Sequence, residues 1–460
     1  MNRRKFIQTV GLGLTSIAVP GCRRSSEQIS KPPNIIFLLT DDQRWDAIRC
    51  AGNSIIQTPN MDWLAESSVR FGQAFVTTPI CAASRASIFC GLYERTHDYT
   101  FTKPPLARLY TDISYPLLLR QAGYRTGFIG KFGIRVEEGV TEEMFDSFQP
   151  TTYPYFKDVD GEKRHLTDIH GDLAVDFLQT ASKDQPFCLS LSFWAPHADD
   201  GEEEQYFWPE AWDGFYDGVH IPVPETADPA FFDTHPEFLK KSLNRTRWLW
   251  RFDTPDKYQK MVKGYYRMIS GVDAVIGRII AELRNLEQHE NTIIILSSDN
   301  GYFLGERGFA GKWLMHDVSI RVPLIIYDPR FPLSRKGSIR EELALNIDTP
   351  ATILDMAGLE TPSTMEGTSL IPVLGRKVKE WRQEIFCEHL WDNAEIPQSE
   401  CIRTLRWKYI RYPQHPDFEE LYDLQSDPKE IHNLVSEAVY SSVLKELREK
   451  CDIGFRSKRK

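Results

Sequence analysis

Short, unbroken apolar runs punctuate the chain. The sharpest are Asn34-Ile35-Ile36-Phe37-Leu38-Leu39, Phe187-Cys188-Leu189-Ser190-Leu191-Ser192-Phe193-Trp194 and Thr292-Ile293-Ile294-Ile295-Leu296-Ser297-Ser298. Runs of this length without polar alternation predict strands covered on both faces. Further strands are predicted over 71–76, 125–133 and 319–326. Between them apolar residues recur at helical spacing. Tyr265, Ile269, Val272, Val275, Ile276 and Ile279 make one stripe of a long helix over 258–286. Other helices are predicted from Thr58-Pro59, from near Ala83, over 115–123 with Gly123 as its stop, over 170–178 and over 346–358. Strands interleaved with helices indicate an α/β domain, bounded here as 34–374. After 367–374 the pattern changes to short runs at 385–389, 402–405 and 408–412, then a last helix through Leu447. That reads as a smaller α+β subdomain over 375–460.

Composition adds three constraints. With 460 residues, 41% hydrophobic and 12% aromatic, the chain can bury a large core. Its formal net charge of -10 argues against nucleic acid as a partner, so an anionic ligand needs a local cationic pocket. The eight cysteines show no zinc-type Cys-x-x-Cys spacing. The start, Met1-Asn2-Arg3-Arg4-Lys5-Phe6-Ile7, reads as a twin-arginine export signal, with an apolar run to Val19 too short for a comfortable membrane span. Val19-Pro20-Gly21-Cys22 resembles a lipobox with Cys22 as the lipidated residue. Pro20 fits it poorly, which leaves cleavage without lipid open. Residues 1–22 therefore predict an exported protein, periplasmic or lipid-anchored.

The candidate chemistry sits at the ends of the apolar runs. Asp41-Asp42 follows the first run and Asp299-Asn300 follows the third, at the edge where α/β sheets bind ligands. Adjacent carboxylates there make sense around a hard cation, calcium or magnesium rather than zinc. Cys81 and Arg85 stand one turn apart in Cys81-Ala82-Ala83-Ser84-Arg85, at a predicted helix mouth where free N–H groups favour an anion. Lys131 falls in the strand-and-turn segment 125–133, His197 follows the strand 187–194, and Lys312 lies in Gly311-Lys312-Trp313 after Gly305-Glu306-Arg307-Gly308. The aromatic, acidic stretch 201–256 reads as a substrate-facing insertion, with Trp208, Trp212, Arg245, Trp248 and Trp250 as sugar contacts.

These motifs, in this order, resemble the formylglycine-dependent sulfatases over roughly Asn34 to Leu434. The resemblance implies an alkaline-phosphatase-like fold, a large mixed sheet sandwiched by helices. It implies that a maturation enzyme oxidises Cys81 to formylglycine, whose hydrate attacks sulfate. It implies calcium held by Asp41, Asp42, the modified Cys81, Asp299 and Asn300, calcium being favoured over magnesium. Arg85, Lys131 and Lys312 then stabilise charge, and His197 or Lys312 protonates the leaving group. His316, Asp317 and Arg321 are assigned to the pocket rim. Gly133 stands where many members carry histidine, so the residue that assists there stays open. A general likeness to N-acetylglucosamine-6-sulfatases suggests a sulfated sugar or glycan as substrate. Two alternatives remain open: a phosphoester or phosphonate hydrolase on the same fold, and a non-catalytic lipoprotein that binds sulfated glycans.

Overall fold

Register in the central sheet explains why the candidate residues converge. The strand Asn34–Thr40 lies between Thr292–Ser298 and Phe187–Ser192, parallel to both. Thr40 pairs with Ser298, Leu39 with Ser192, and Ser192 with Gly130 of the next strand, Arg125–Gly130. The residues after these strands, Asp41, Asp299 and Lys131, therefore leave the sheet at one edge, and His197 follows a few residues after Ser192. The computed structural model describes residues 31–376 and 378–457. The twin-arginine start, the run to Val19 and Cys22 lie outside the described residues. Among those described, no helix is long and apolar enough to cross a membrane.

The sheet has eight strands and is mixed, because Leu324–Tyr327 runs antiparallel to both of its neighbours. Both faces are covered, as the unbroken apolar runs require. Ile36, Leu38, Leu189, Leu191, Ile294 and Leu296 pack under the helices Leu166–Gln179 and Pro255–Asn285. The alternate residues Ile35, Phe37, Leu39, Ile293 and Ile295 pack under Cys81–Cys90, Tyr115–Gln121 and Asp348–Met356. A second, four-stranded antiparallel sheet, Glu384–His389, Ser399–Thr404, Trp407–Arg411 and Glu419–Asp423, packs against the helix Ser441–Ser457 and against the large layer.

Three predicted elements differ. The run 71–76 is two strands, Val69–Phe71 and Ala74–Phe75, in different sheets, split at Gly72-Gln73. The run 319–326 begins as the helical turn Asp317–Ile320, and only Leu324–Tyr327 is strand. The insertion is not a bare loop. It contains the helices Pro229–Asp233, Glu237–Lys240 and Leu243–Arg251.

Burial also gives the fold an acid limit. It holds the imidazoles of His97, His170 and His389 down to about 3, against 6.5 in an unfolded chain. Between those values the unfolded chain binds protons that the folded chain refuses. Stability is expected to fall as pH drops from about 6.5, by about 1.4 kcal/mol per unit for each histidine. Melting at about pH 7 and about pH 5 checks this, and an acid-insensitive midpoint would refute it.

Candidate functional site

Cys81 is the first residue of the helix Cys81–Cys90, two positions earlier than the sequence pattern suggested. It therefore stands at the helix end whose first N–H groups have no acceptor within the helix. Arg85, one turn on, is buried and reaches across the sheet edge. Its Nε donates to Asp299 Oδ2 at 2.8 Å, its Nη2 to Asp41 Oδ2 at 3.3 Å, and its Nη1 to Lys131 O at 2.6 Å and Ser192 Oγ. Gly133 makes room for that reach. It has φ +73, and a Cβ there would stand 2.5 Å from Arg85 Cδ.

Two sides of the pocket are distinguishable. On the Asp41 side are Arg85 and Lys131, whose Nζ bonds Asp41 and lies 4.5 Å from the centre of the Trp194 ring. On the Asp42 side are Lys312, whose Nζ bonds Asp42 Oδ1, and His197, whose Nε2 lies 3.8 Å from Asp42 Oδ2. Asp42 holds a positive φ of 68, a conformation that non-glycine residues adopt rarely and that clusters at functional sites. Burial disfavours ionisation of Asp41, yet Lys131, His197, Lys312 and Arg85 together hold its carboxyl well below the usual range. Asp299 moves the other way, pushed up to about 6 by burial and by the like charge of Asp41. Lys312 is held protonated against burial by Asp42 and its neighbours. Burial takes His197 down to about 4, so it is neutral at pH 7.

The donor set fits a hard cation. Asp41 Oδ1, Asp42 Oδ2 and Asn300 Oδ1 are buried and accept no hydrogen bond, a costly arrangement unless something positive lies among them. Ligand atoms of Asp41, Asp42 and His197 lie within 4.8 Å of one another. Asp299 differs, because both its oxygens are engaged, Oδ1 by the Asp42 N–H at 3.2 Å and Oδ2 by Arg85.

The rim residues expected from sequence lie elsewhere. His316 is buried with Nε2 3.2 Å from Glu420 Oε2, and Asp317 is paired with Arg403 and Lys408 of the C-terminal sheet. Arg321 stacks 3.8 Å over Trp45. His316 and Asp317 join the two sheets, and Arg321 also donates to the Gly72 carbonyl, which is why none of them turns to the pocket. The insertion aromatics are likewise engaged. Trp208 carries Arg267 at 4.6 Å and donates to Asp213, and Arg245 lies between Phe232 and Trp248. Trp212 meets Phe215, whereas Trp250 is exposed. Sequence reasoning missed Tyr153, whose hydroxyl is 2.7 Å from His197 Nδ1. Nothing in the pattern around Thr151-Thr152-Tyr153 signals that contact.

Comparisons with known proteins agree on one family. The Sulfatase family profile matches residues 33–359, and the profile for the C-terminal part of N-sulphoglucosamine sulphohydrolase matches 305–454. The chain is 31% identical to an N-acetylglucosamine-6-O-sulfatase from Bacteroides thetaiotaomicron, over 96% of this chain and 89% of that one. It superposes with a TM-score of 0.80 and 27% identity on BT4656 in complex with its substrate D-glucosamine-2-N,6-O-disulfate, covering 93% of this chain and 98% of that one. A phosphonate monoester hydrolase from Silicibacter pomeroyi, at 22% identity, shares the fold with a TM-score of 0.78, covering 93% and 96%. The chain belongs to the sulfatase family, enzymes that hydrolyse sulfate esters.

Proposed function

We propose that this enzyme is exported and releases inorganic sulfate from a sulfated carbohydrate, using a formylglycine derived from Cys81 and a bound calcium ion. The observation that carries this is the meeting of Cys81-Arg85 with three unpartnered buried oxygens, ringed by Arg85, Lys131 and Lys312. Asp41, Asp42 and Asn300 would hold the cation, with Asp299 beside them. Bound there, calcium supplies positive charge to the sulfate oxygens, and the hydrated aldehyde at position 81 supplies the nucleophilic oxygen. Arg85, clamped by Asp299 and Ser192, fixes the side of the pocket next to residue 81. Lys131 and Lys312 neutralise charge that develops on sulfate. Tyr153, whose hydroxyl lies 2.7 Å from His197 Nδ1, fixes the ring with Nε2 toward Asp42, and the negative charge of a bound sulfate ester would favour the imidazolium that protonates the departing alcohol. The export reading rests on the twin-arginine start, and lipidation at Cys22 and a separate maturation enzyme belong to the same proposal.

Sulfate release from a panel of sulfated mono- and oligosaccharides, against aryl phosphate and phosphonate, tests the reaction class. Dominant phosphonate turnover would move the chain to the alternative reading, and sugar binding without turnover would make it a lectin-like protein. Leaving-group chemistry gives a sharper test. A sugar alkoxide needs a proton as its S–O bond breaks, whereas nitrophenolate leaves without one. His197→Ala is expected to lower kcat/KM on a sulfated sugar by about 10²–10⁴-fold and far less on nitrophenyl sulfate. Lys312→Ala is expected to hurt both about equally, as a charge stabiliser. A loss selective for the sugar in Lys312→Ala would transfer the acid role to it.

A further inference from the structure

Beyond the sulfate pocket, the helix Leu243–Arg251 turns one buried face inward, formed by Asn244, Arg247 and Arg251 at spacings of three and four. Asn244 Nδ2 donates to the carbonyls of Ala310 at 3.1 Å and Lys312 at 2.8 Å, pinning the helix to the segment that carries Lys312. The Arg247 guanidinium then lies 4.5 Å from the centre of the Trp313 ring, next in sequence to Lys312. Trp313 itself holds a positive φ of 81. Asp200, three residues after His197, accepts from both Arg247 and Arg251. The cluster thus bridges the two segments that deliver His197 and Lys312, both on the Asp42 side.

Its burial is uneven. The Arg251 side chain is 0% exposed and that of Arg247 10%, but that of Asp200 is 32% exposed. Arg247 Nε and two nitrogens of Arg251 are buried without partners. One carboxylate shared by two arginines is more cationic machinery than a structural pair needs, and burying it is expensive. An open carboxylate edge beside a guanidinium held on an aromatic face has another use. It accepts from one hydroxyl and donates to its neighbour, which is how a vicinal diol is read.

We propose that Asp200 and Arg247 form a sugar-hydroxyl subsite on the leaving-group side of the pocket, selecting polyhydroxylated alcohols over aryl or alkyl ones. The inference rests on the sulfatase reading above. Arg251 acts behind it as a positioning residue for Asp200.

The test compares wild type, Asp200→Asn and Arg247→Lys on N-acetylglucosamine 6-sulfate and on nitrophenyl sulfate, with the desulfated sugar as product inhibitor. The ratio of sugar to nitrophenyl kcat/KM is expected to fall about 10- to 100-fold in Asp200→Asn, the size of one charged hydrogen bond. Inhibition by the free sugar should weaken in parallel. Arg247→Lys keeps the charge, and the ratio is expected to fall there too because the planar fork is lost. Wild type that acts on neither sulfate ester would sink the sulfatase reading. Wild type active on nitrophenyl sulfate alone, or an unchanged ratio in both variants, would overturn the subsite.

Discussion

Cys81→Ala is expected to lower sulfate release by about 10⁵-fold or more while leaving the protein folded. The argument is chemical. A thiol cannot become a gem-diol, so the proposed mechanism requires the sulfur of residue 81 to be exchanged for oxygen before turnover. In active protein the tryptic peptide 71–85 should carry an aldehyde, having lost sulfur and two hydrogens and gained oxygen. Cys81 is small, buried and the first residue of its helix, so alanine fills the position at a cost of about 1 kcal/mol. Unchanged melting with lost turnover is therefore the expected pair of results. Full activity from protein whose peptide still carries the thiol would end the formylglycine mechanism for this chain.

The parts legible in the sequence were those carried by continuous signals. The runs at 34–39, 187–194 and 292–298 announced buried strands, and their aligned ends brought Asp41, Asp42, Asp299 and Asn300 together. Residues read through local turns were less legible. His316, Asp317 and Arg321 follow Lys312 closely, yet the chain turns there into the joint with the C-terminal sheet; long-range ion pairs decide the direction of His316 and Asp317, and Trp45 that of Arg321. Gly133 reads as a missing histidine. In the structure its place is explained by the Arg85 stem, which approaches within 2.5 Å of where a Cβ would be. Asp200 is hidden in the acidic stretch Asp199-Asp200-Gly201-Glu202-Glu203-Glu204, where nothing local separates a paired carboxylate from solvated ones. Its role emerges only when a helix some fifty residues later folds back and sets Arg247 and Arg251 against it.

Removing one carboxylate from the pocket is expected to lose both the metal and nearly all turnover. As the side chains stand, Asp41, Asp42 and Asp299 oppose Arg85, Lys131 and Lys312, so the described pocket is close to neutral. Asp41→Ala leaves the three cations in excess and deletes one of the three unpartnered oxygens, so a dication meets repulsion where it met a ligand. Calcium titration should show binding to wild type and none to the variant. Wild type should also melt higher with calcium present, by about 2.7 kcal/mol of added stability at a hundredfold excess over the dissociation constant. The variant should show no such shift. Asp299→Ala separates two roles, because its oxygens already serve Arg85 and the Asp42 N–H. Loss of calcium would make Asp299 a ligand. Retained calcium with turnover lost would make it the residue that aims Arg85, and retained calcium with a near-normal rate in Asp41→Ala would remove Asp41 from the metal site altogether.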